Sequence, residues 1–277
     1  MSSDTSSVIT RTDVQRMRVL AATQVCPSYV RITLTCADAT PFYGQGFDQW
    51  VRLFVRREDQ AKLSLPEGPC EGWYTRWQKM DEAIRPVVRN YTVRDVRHTT
   101  DNVEVDIDFV IHRNPVTGGV EGLAAQWAMR TWPGDEVGVL IQGLIFDASR
   151  AAGRDVLLLA DETGLPGVES IARSLSGAAS VRAILEVPTP QDRRPLIDAV
   201  SGGQMDVTWL TRDDLHARPG SAIKAALPQI TWPADGYAYA TGEISMTRAV
   251  QKAADTAGMP DRQARTCAYW RPSRKRS

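Results

Sequence analysis

The sequence is poor in cysteine and histidine, and the few it has are scattered. Its 277 residues include only three histidines and four cysteines, which are Cys26, Cys36, Cys70 and Cys267. No pair of these cysteines has the spacing of a zinc site or an iron–sulfur cluster. We therefore expect no resident metal, and we predict that the thiols are reduced and structural.

Net charge and long apolar runs are also missing. The 33 basic and 33 acidic residues cancel, so no net field draws the chain to nucleic acid or to an anionic membrane. The longest apolar runs, such as residues 156–160, have the length of a strand and predict no membrane-spanning segment. The polar start, residues 1–7, lacks the apolar core of a secretion signal, so a cytoplasmic location is expected.

A Gly-x-Gly-x-x-Gly fingerprint is absent as well, yet the second half of the chain alternates strands with helices. Residues 156–160 are continuously apolar, as in a parallel sheet that is covered on both faces. Further strands are predicted at 181–187, 207–210, 237–240 and 266–270, and helices at 167–175, 195–200, 221–227 and 246–257. This alternation predicts a doubly wound sheet that binds its ligands at the carboxyl ends of the strands, although without the fingerprint it is not a standard Rossmann domain.

Two of those strand ends carry candidate nucleotide contacts. Thr163 follows the first strand, and Thr241, Gly242 and Glu243 follow the fourth. They place hydroxyls and exposed backbone where a nucleotide would lie, and Ser245 is expected to cap the next helix. Ordinary turns and caps would explain the same residues equally well.

The first half of the chain is typical of an antiparallel sheet. Alternating apolar and polar residues predict strands at 16–20, 29–35, 50–55, 89–94, 103–112 and 137–141. The polar stretch 56–85, rich in proline and glycine, is predicted to be an insertion loop. We predict a loose tail over residues 1–13, an antiparallel β-barrel domain over 14–148, and an α/β domain over 149–277.

Residues 89–94, Arg-Asn-Tyr-Thr-Val-Arg, are the central candidate for a ligand-binding segment. On a strand, Arg89 and Tyr91 point to one side and Thr92 to the other. Arg89 can grip a phosphate, Tyr91 offers a ring face, and the Thr92 hydroxyl can donate and accept at a heteroaromatic edge. The segment suits a flat, phosphorylated ligand, and an ordinary half-exposed strand is the plain alternative.

A histidine and a glycine-rich turn follow this segment. His112 ends the polar face of the alternating strand 103–112, and the turn leads through Gly122 into an alanine-rich helix. Free backbone N–H groups at such a helix start can hold a pyrophosphate against the positive end of the helix dipole. A solvated histidine and a flexible connector are the plain alternatives.

Together these stretches, from about Arg16 to Arg276, closely resemble the siderophore-interacting protein family, the ferric-siderophore reductases of the ferredoxin-reductase-like flavoproteins. The marks lie at 89–94, at Asp-Phe-Val-Ile-His 108–112, from Trp127 through Pro-Gly-Asp 133–135, at Asp-Glu-Thr-Gly-Leu-Pro 161–166, at Gly242-Glu243 and at Tyr-Trp-Arg 269–271. The Asp-Glu-Thr and Tyr-Trp-Arg signatures are the distinguishing ones. The resemblance implies an N-terminal antiparallel FAD-binding β-barrel followed by a Rossmann-like NAD(P)H-binding domain.

The resemblance also implies site residues. FAD would contact Arg89, Tyr91, Thr92, Val110, His112, Gly122, Ala124 and Ala125. NADPH or NADH would dock near Thr163, Gly242 and Glu243. The chain departs from the family in having Leu123 where proline is usual and Ala125 where a hydroxyl residue is frequent, so pyrophosphate contacts would rest on backbone N–H groups. Ser273 likewise stands where a glycine is common.

NADPH is expected rather than NADH. Family members that prefer NADH tend to carry an extra C-terminal helix, and only seven residues follow Trp270 here. The basic residues Arg271, Arg274, Lys275 and Arg276 could meet the 2′-phosphate of NADPH, although a solvated tail would also explain them.

The implied reaction is hydride transfer from the nicotinamide to the flavin, followed by single-electron transfer to Fe(III) in an oxygen-donor chelator. Hard oxygen donors hold Fe(III) better than Fe(II), so reduction releases the metal and the protein needs no iron ligands of its own. The substrate would be a negatively charged ferric siderophore. The protein itself is expected to be a monomer. The candidate cationic contacts of the substrate, each next to a predicted cofactor segment, are Arg52, Arg130, Arg248 and Arg271. For each of them an ordinary surface arginine is the favoured alternative.

Two other functions stay open at this point. The same fold supports an NAD(P)H-dependent reductase of another acceptor, such as free flavin, a quinone or a partner redox protein. A siderophore-binding accessory protein that has lost flavin or nicotinamide binding is the third hypothesis, and the departures at Leu123 and Ala125 keep it open.

Overall fold

The structure, a computed structural model, describes residues 13–37, 42, 46–114, 116–175, 178–194, 205–212, 214, 217–260 and 262–271. Residues 1–12 of the predicted tail, the predicted helix 195–200, Ser273 and the basic residues 274–276 lie outside the described residues. Within the described residues, no helix is long and apolar enough to cross a membrane.

An antiparallel sheet of seven strands forms the N-terminal part. Its elements are β1 Gln15–Cys26, β2 Tyr29–Cys36, β3 Trp50–Val55, α1 Trp73–Lys79, β4 Val87–Thr92, β5 Asp95–His98, β6 Val103–Val110, α2 Leu123–Arg130 and β7 Glu136–Gly143. The hydrogen-bonded order is β4-β3-β7-β1-β2-β6-β5. The alternation of apolar and polar residues along the strands accounts for the core of this sheet. On β6, for example, every second residue from Val103 to Phe109 is apolar and fully buried.

The two end strands of this sheet, β4 and β5, follow one another in the chain and curl towards each other. The Arg94 N–H, between them, donates to the Asp106 carbonyl of β6 at 2.8 Å. β4 keeps one free edge, and this edge borders the site described below.

The predicted insertion loop 56–85 contains a helix, so the prediction of a loop throughout is wrong. Helix α1 begins after Gly72, which has a φ of 72°, and ends at Lys79. Trp73 and Trp77 lie one turn apart and pack with Phe54 and Leu140 on the outer side of the sheet. This packing explains the helix, because seven residues are too few to be helical alone.

A parallel five-stranded sheet forms the C-terminal part, as the alternation predicts. Its elements are α3 Ala148–Ala151, β8 Asp155–Ala160, α4 Leu165–Ser174, β9 Ser180–Val187, β10 Asp206–Thr211, α5 Ser221–Ala226, β11 Tyr237–Glu243, α6 Ile244–Thr256 and β12 Ala264–Trp270. The order is β10-β9-β8-β11-β12, because the chain adds β9 and β10 on one side of β8 and then β11 and β12 on the other. The switch point therefore lies between β8 and β11. Ligands of such sheets bind beside that switch point, at the carboxyl ends of the strands.

Buried hydrogen bonds join the two sheets. The Asp48 carboxylate, which precedes β3, accepts the N–H groups of Ile145 and Phe146 at 3.0 and 2.8 Å and the hydroxyl of Tyr239 on β11. The Tyr29 hydroxyl of β2 donates to the Glu162 carbonyl after β8 at 2.9 Å. The free edge of β4 is thereby held against the carboxyl ends of the C-terminal strands.

Candidate functional site

A cleft of about 600 Å³ lies between the edge strand β4 and the C-terminal sheet. Its other walls are α1, the start of α2, the residues that follow β6 and β8, and the end of β12. Ten of the predicted site residues line it, namely Arg52, Arg89, Tyr91, Thr92, Val110, His112, Gly122, Ala124, Ala125 and Thr163. The cleft thus brings together residues that are up to 111 positions apart, from Arg52 to Thr163.

Strand β4 presents its side chains to two sides, as the alternation predicts. Val87 and Tyr91 pack in the inner core of the sheet, whereas Val88 packs on the outer side. The Tyr91 ring lies 4.2 Å from that of Phe109, and burial raises the pKa of its hydroxyl, which therefore stays protonated. The Arg89 side chain is exposed, and its Nη1 donates to the Val88 carbonyl at 2.8 Å.

The start of α2 fits the pyrophosphate that the family resemblance implies. Gly122 has a φ of 88°, no side chain caps the helix, and the first turn has no acidic residue. The first-turn N–H groups are therefore available to an anion, with the helix dipole in their favour. Trp127, 1% exposed, anchors the helix in the core of the sheet. Together with Arg89 and Tyr91, this donor set suits FAD.

The carboxyl end of β8 is tied to the end of β11 by one buried carboxylate. Asp161 accepts the N–H and hydroxyl of Thr163 at 2.9 and 2.6 Å, and the N–H of Glu243 at 2.7 Å. A Cβ atom on Gly242 would lie 2.5 Å from the Asp161 carboxyl group, so only glycine fits there. Burial, followed by the negative charge of Glu162, raises the pKa of Asp161 to about 7.

Gly242 and Glu243 lie beside this carboxylate rather than in the cleft. Both residues are buried, and the Glu243 side chain accepts the N–H groups of Ser245 and Met246 at 2.6 and 3.2 Å. Glu243 is therefore the cap of α6, and the expectation that Ser245 caps this helix is wrong. The role of Gly242 and Glu243 as nucleotide contacts stays a prediction.

Three buried charges hold the ends of β8, β9 and β10 together. Arg212 donates to both oxygens of Glu162, at 2.7 and 2.9 Å, and to Glu186 at 2.9 Å. Glu186 in turn accepts the N–H groups of Gly220 and Ile223 at the start of α5. Burial raises the pKa of Glu162, and the Arg212 guanidinium opposes that shift. The sequence gives no sign of this network, because its members are 24 to 50 positions apart.

Asp108, on the polar face of β6, is buried and paired with cations from both halves of the chain. Asp108 accepts from Arg31 at 2.7 and 3.0 Å and from Arg194 at 2.6 Å. Arg194 also lies 3.3 Å from Glu169 of α4, and Arg94 approaches the same carboxylate at 3.3 Å. Asp108 lines the cleft, so these ion pairs fix one of its wall residues.

His112 lies two residues beyond the end of β6, with its ring centroid 6.3 Å from that of Trp270. Burial, and then the positive charge of Arg212, lowers its pKa, so the imidazole is neutral at neutral pH. A neutral imidazole can donate from one nitrogen and accept at the other. His112 can therefore act as a hydrogen-bonding group in the cleft rather than as a charge.

Only one of the four arginines predicted to meet the substrate lines the cleft. Arg52 does so, and its guanidinium bonds to Gln142 and Asn90 at 3.1 Å each. Arg130 is turned towards the Arg56 carbonyl at 3.4 Å. Arg248 and Arg271 are exposed on α6 and after β12, outside the cleft lining. Their predicted roles, unlike that of Arg52, gain no support from this placement.

Several cleft residues were not predicted as site residues. Tyr269 and Trp270 belong to the Tyr-Trp-Arg signature, which was the available signal for them. Among the described residues the buried Trp270 indole nitrogen has no hydrogen-bond partner, so it offers a donor near the cleft. Trp73, Tyr74 and Trp77 come from the stretch predicted as a loop, where only their helical spacing could have drawn attention.

Comparison with known proteins matches both halves of the chain to families. Residues 18–142 match the siderophore-interacting FAD-binding domain, and residues 153–273 match the siderophore-interacting protein family. The chain belongs to the siderophore-interacting protein family. The predicted family, the two-part fold class and the FAD assignment are thereby confirmed, and the chain is a flavin oxidoreductase, as predicted.

Individual relatives extend this comparison. The ferric vibriobactin reductase ViuB of Vibrio cholerae is 28% identical over 76% of this chain and 70% of its own length. An NADPH-dependent ferric-chelate reductase of Escherichia coli is 28% identical over 92% of each chain. The crystal structure of a siderophore utilization protein from T. fusca has a TM-score of 0.72 at 25% identity, covering 96% of this chain and 95% of that one.

Proposed function

We propose that this protein reduces ferric siderophores, passing electrons from NADPH through FAD to chelated Fe(III). Per NADPH, one hydride leaves as two electrons and a proton, two Fe(III) ions each gain one electron, and NADP⁺ and H⁺ are released. Bound FAD supplies the step from two-electron to one-electron chemistry. Fe(II) then leaves the hard oxygen donors, which hold it more weakly than Fe(III).

The cleft of about 600 Å³, which both halves line, carries this proposal. An electron donor and an acceptor must both reach one flavin, and the cleft is bordered by β4, by the C-terminal sheet at Thr163 and Trp270, and by α1. Arg89 and the uncapped start of α2 would hold the phosphates of FAD, and Tyr91 would offer a face to its ring. Thr163 and the switch point between β8 and β11 would receive the nicotinamide nucleotide.

NADPH is proposed over NADH because a relative similar over 92% of the chain is named for NADPH. Arg52, the candidate arginine in the cleft, would attract the negatively charged chelate. A cytoplasmic location and a monomeric state, both expected from the sequence, complete the proposal.

An anaerobic visible spectrum of the purified protein tests this function. We expect flavin bands that bleach on addition of NADPH and return on addition of a ferric siderophore, with Fe(II) trapped by a colorimetric chelator. Bleaching by NADPH without recovery by the chelate, but with recovery by free flavin or a quinone, would assign another acceptor. A protein that takes up no FAD would support the accessory-protein hypothesis.

The departures at Leu123 and Ala125 are compatible with FAD binding. The Leu123 side chain is 47% exposed, and Ala125 is a small buried residue of the helix start. Neither side chain is needed if the backbone N–H groups of α2 hold the pyrophosphate.

A further inference from the structure

Helix α1 presents three aromatic side chains to the cleft, which we call the aromatic shelf: Trp73, Tyr74 and Trp77. The rings of Tyr74 and Trp77 are stacked, with centroids 5.6 Å apart and planes 29° from parallel. Trp73 meets Tyr74 edge to face at 5.5 Å. Tyr74 is 52% exposed, so a flat aromatic surface faces the open side of the cleft.

The shelf is held rigidly from beneath. Trp73 and Trp77 pack with Phe54 and Leu140 on the outer side of the N-terminal sheet, and the Trp77 indole N–H donates to the Pro86 carbonyl at 2.9 Å. A surface that is fixed before binding loses little conformational entropy when a ligand stacks on it. Tyr74 is not part of this packed cluster, so the packing of α1 does not explain why an aromatic side chain is exposed there.

Positive charge adjoins the shelf. The Arg52 guanidinium lies 4.9 Å from the centroid of the Trp73 ring, and Arg85 lies 5.6 Å from that of Trp77. Burial lowers the pKa of Arg52, but an arginine remains charged at neutral pH. A ligand of this surface would combine an aromatic face with negative charge.

The shelf and the start of α2 lie on opposite sides of β4. Trp73 and Trp77 share the outer cluster with Val88, whereas Ala124 and Ala125 share the inner core with Tyr91. The cleft therefore bends around the free edge of β4 and has two ends. The phosphates of FAD are assigned to the inner end, and the nicotinamide to the C-terminal sheet, which leaves the outer end for the electron acceptor.

We propose that the aromatic shelf binds the aryl donor rings of the ferric siderophore, so that the preferred substrate class is an anionic chelate with catecholate or phenolate rings. This inference rests on the proposed function. A ring of the chelate stacks on Tyr74, and Arg52 meets the negative charge that the deprotonated ring oxygens give the complex. Chelators without rings make the charge contact only.

Stopped-flow reoxidation of the FAD-loaded enzyme, reduced beforehand with NADPH, tests this proposal with two probes. The ferric tris(2,3-dihydroxybenzoate) complex carries rings and negative charge, and ferric EDTA carries negative charge without rings. We expect Tyr74→Ala to slow reoxidation by the dihydroxybenzoate complex about tenfold, the size of a lost aromatic stack, and to leave ferric EDTA within about twofold.

Two further variants serve as controls. Tyr74→Phe keeps the ring and should behave as the wild type. Trp132→Ala removes an aromatic side chain that is 74% exposed outside the cleft lining, and it should change neither rate. Equal slowing of both probes by Tyr74→Ala, or no slowing of either, would overturn the proposal.

Two measurements separate this inference from the function on which it rests. Weaker FAD binding by Tyr74→Ala would show that the shelf holds the cofactor, and would also overturn the proposal. The gallium tris(2,3-dihydroxybenzoate) complex cannot be reduced, so its quenching of tryptophan fluorescence reports binding alone. If the wild type reduces no ferric chelate, the proposed function fails, while loss of gallium-complex binding in Tyr74→Ala would still support the shelf as its site.

Discussion

Arg89 stands exposed on β4, while Tyr91, two residues further on, packs against Phe109. Their difference in burial matches what each would do for a flat, phosphorylated ligand. The exposed guanidinium is accessible to a phosphate, and the packed ring is held in one orientation against which a flavin could lie. At the scale of single residues, the site is a rigid aromatic face beside a free charge.

Arg89→Ala should weaken FAD binding. A hydrogen bond to a charged group contributes about 1.5–3 kcal/mol, so we expect the Kd for FAD to rise about ten- to a hundredfold. Titration of the apoprotein with FAD, followed by flavin fluorescence, measures this change. Arg18→Ala removes an exposed arginine of β1 outside the cleft lining and should leave the Kd unchanged. Equal affinities for wild type and Arg89→Ala would contradict the assignment.

Asp161 should make stability depend on pH. Burial and the negative charge of Glu162 raise its pKa to about 7, whereas the pKa of an aspartate in an unfolded chain is about 3.9. Between these values the folded state binds more protons, so the stability contributed by the protonated group is complete below about pH 4 and is lost as the pH rises towards 7.

Comparison with Asp161→Asn isolates this effect. The free energy of unfolding of the wild type, relative to the variant, should fall by up to about 1.4 kcal/mol for each pH unit between about pH 5 and 7. Urea unfolding at several pH values with saturating FAD provides the measurement. Parallel curves for the two proteins would show that Asp161 has an ordinary pKa.

At the scale of elements, the ends of β8 and β11 are tightly constrained by one another. Gly242 has a φ of 144° and lies against the Asp161 carboxylate, which also binds the Glu243 N–H. This contact fixes the turn of Thr163 at the rim of the cleft. The sequence identified both strand ends as important, but the buried carboxylate between them depends on strands that are adjacent in the sheet and distant in the chain.

Gly242→Ala should destabilise the protein more than a glycine substitution elsewhere. Backbone strain costs about 1–3 kcal/mol, and the new Cβ would also displace Asp161, at 2.5 Å. Gly258→Ala is the matched control, because Gly258 has a φ of 78° but nothing within 4 Å of its added Cβ. The control should lose only about 1–2 kcal/mol. Similar losses in urea unfolding of the two variants would argue against the close contact.

Helix α1 shows what local sequence rules miss. Proline and glycine at 66, 68, 69 and 72 indicate a loop, and the seven helical residues that follow are too few to form a helix in isolation. Packing of Trp73 and Trp77 against Phe54 and Leu140 stabilises the helix, and that surface exists only once the sheet has formed. Tertiary contacts therefore override the local signal.

At the scale of the whole molecule, buried ion pairs hold the two halves around the cleft. Arg194 joins Asp108 of β6 to Glu169 of α4, and its side chain is only 10% exposed. Burial opposes ionisation of Asp108, but hydrogen bonds from Arg31 and the charge of Arg194 lower its pKa below the usual value. Charges buried in this way are costly to leave unpaired.

Arg194→Met should reduce the free energy of unfolding by about 1.5–3 kcal/mol, the size of a lost hydrogen bond between charged groups. The loss is no larger because Asp108 keeps Arg31 and Glu169 keeps Arg94. Its neighbour Arg193 is exposed, so Arg193→Met should cost at most about 0.5 kcal/mol. Chemical denaturation of both variants, with FAD in excess, measures the difference. If the two variants unfold at the same denaturant concentration, the ion pairs do not hold the halves together.

Most strands, the two fold classes, and the candidate segments at residues 89–92 and Gly122 could be predicted from the sequence alone, whereas α1, α3 and β5 could not. The features that could be predicted depend on local periodicity, turn residues and motifs, which neighbouring residues in the chain specify. Three features became visible only in the folded chain: Arg52, and not Arg130, Arg248 or Arg271, lies at the cleft; α1 supplies its aromatic wall; and Asp161 and Arg212 tie the strand ends together. Such contacts join residues distant in the chain, so they arise only when the sheets pair and pack.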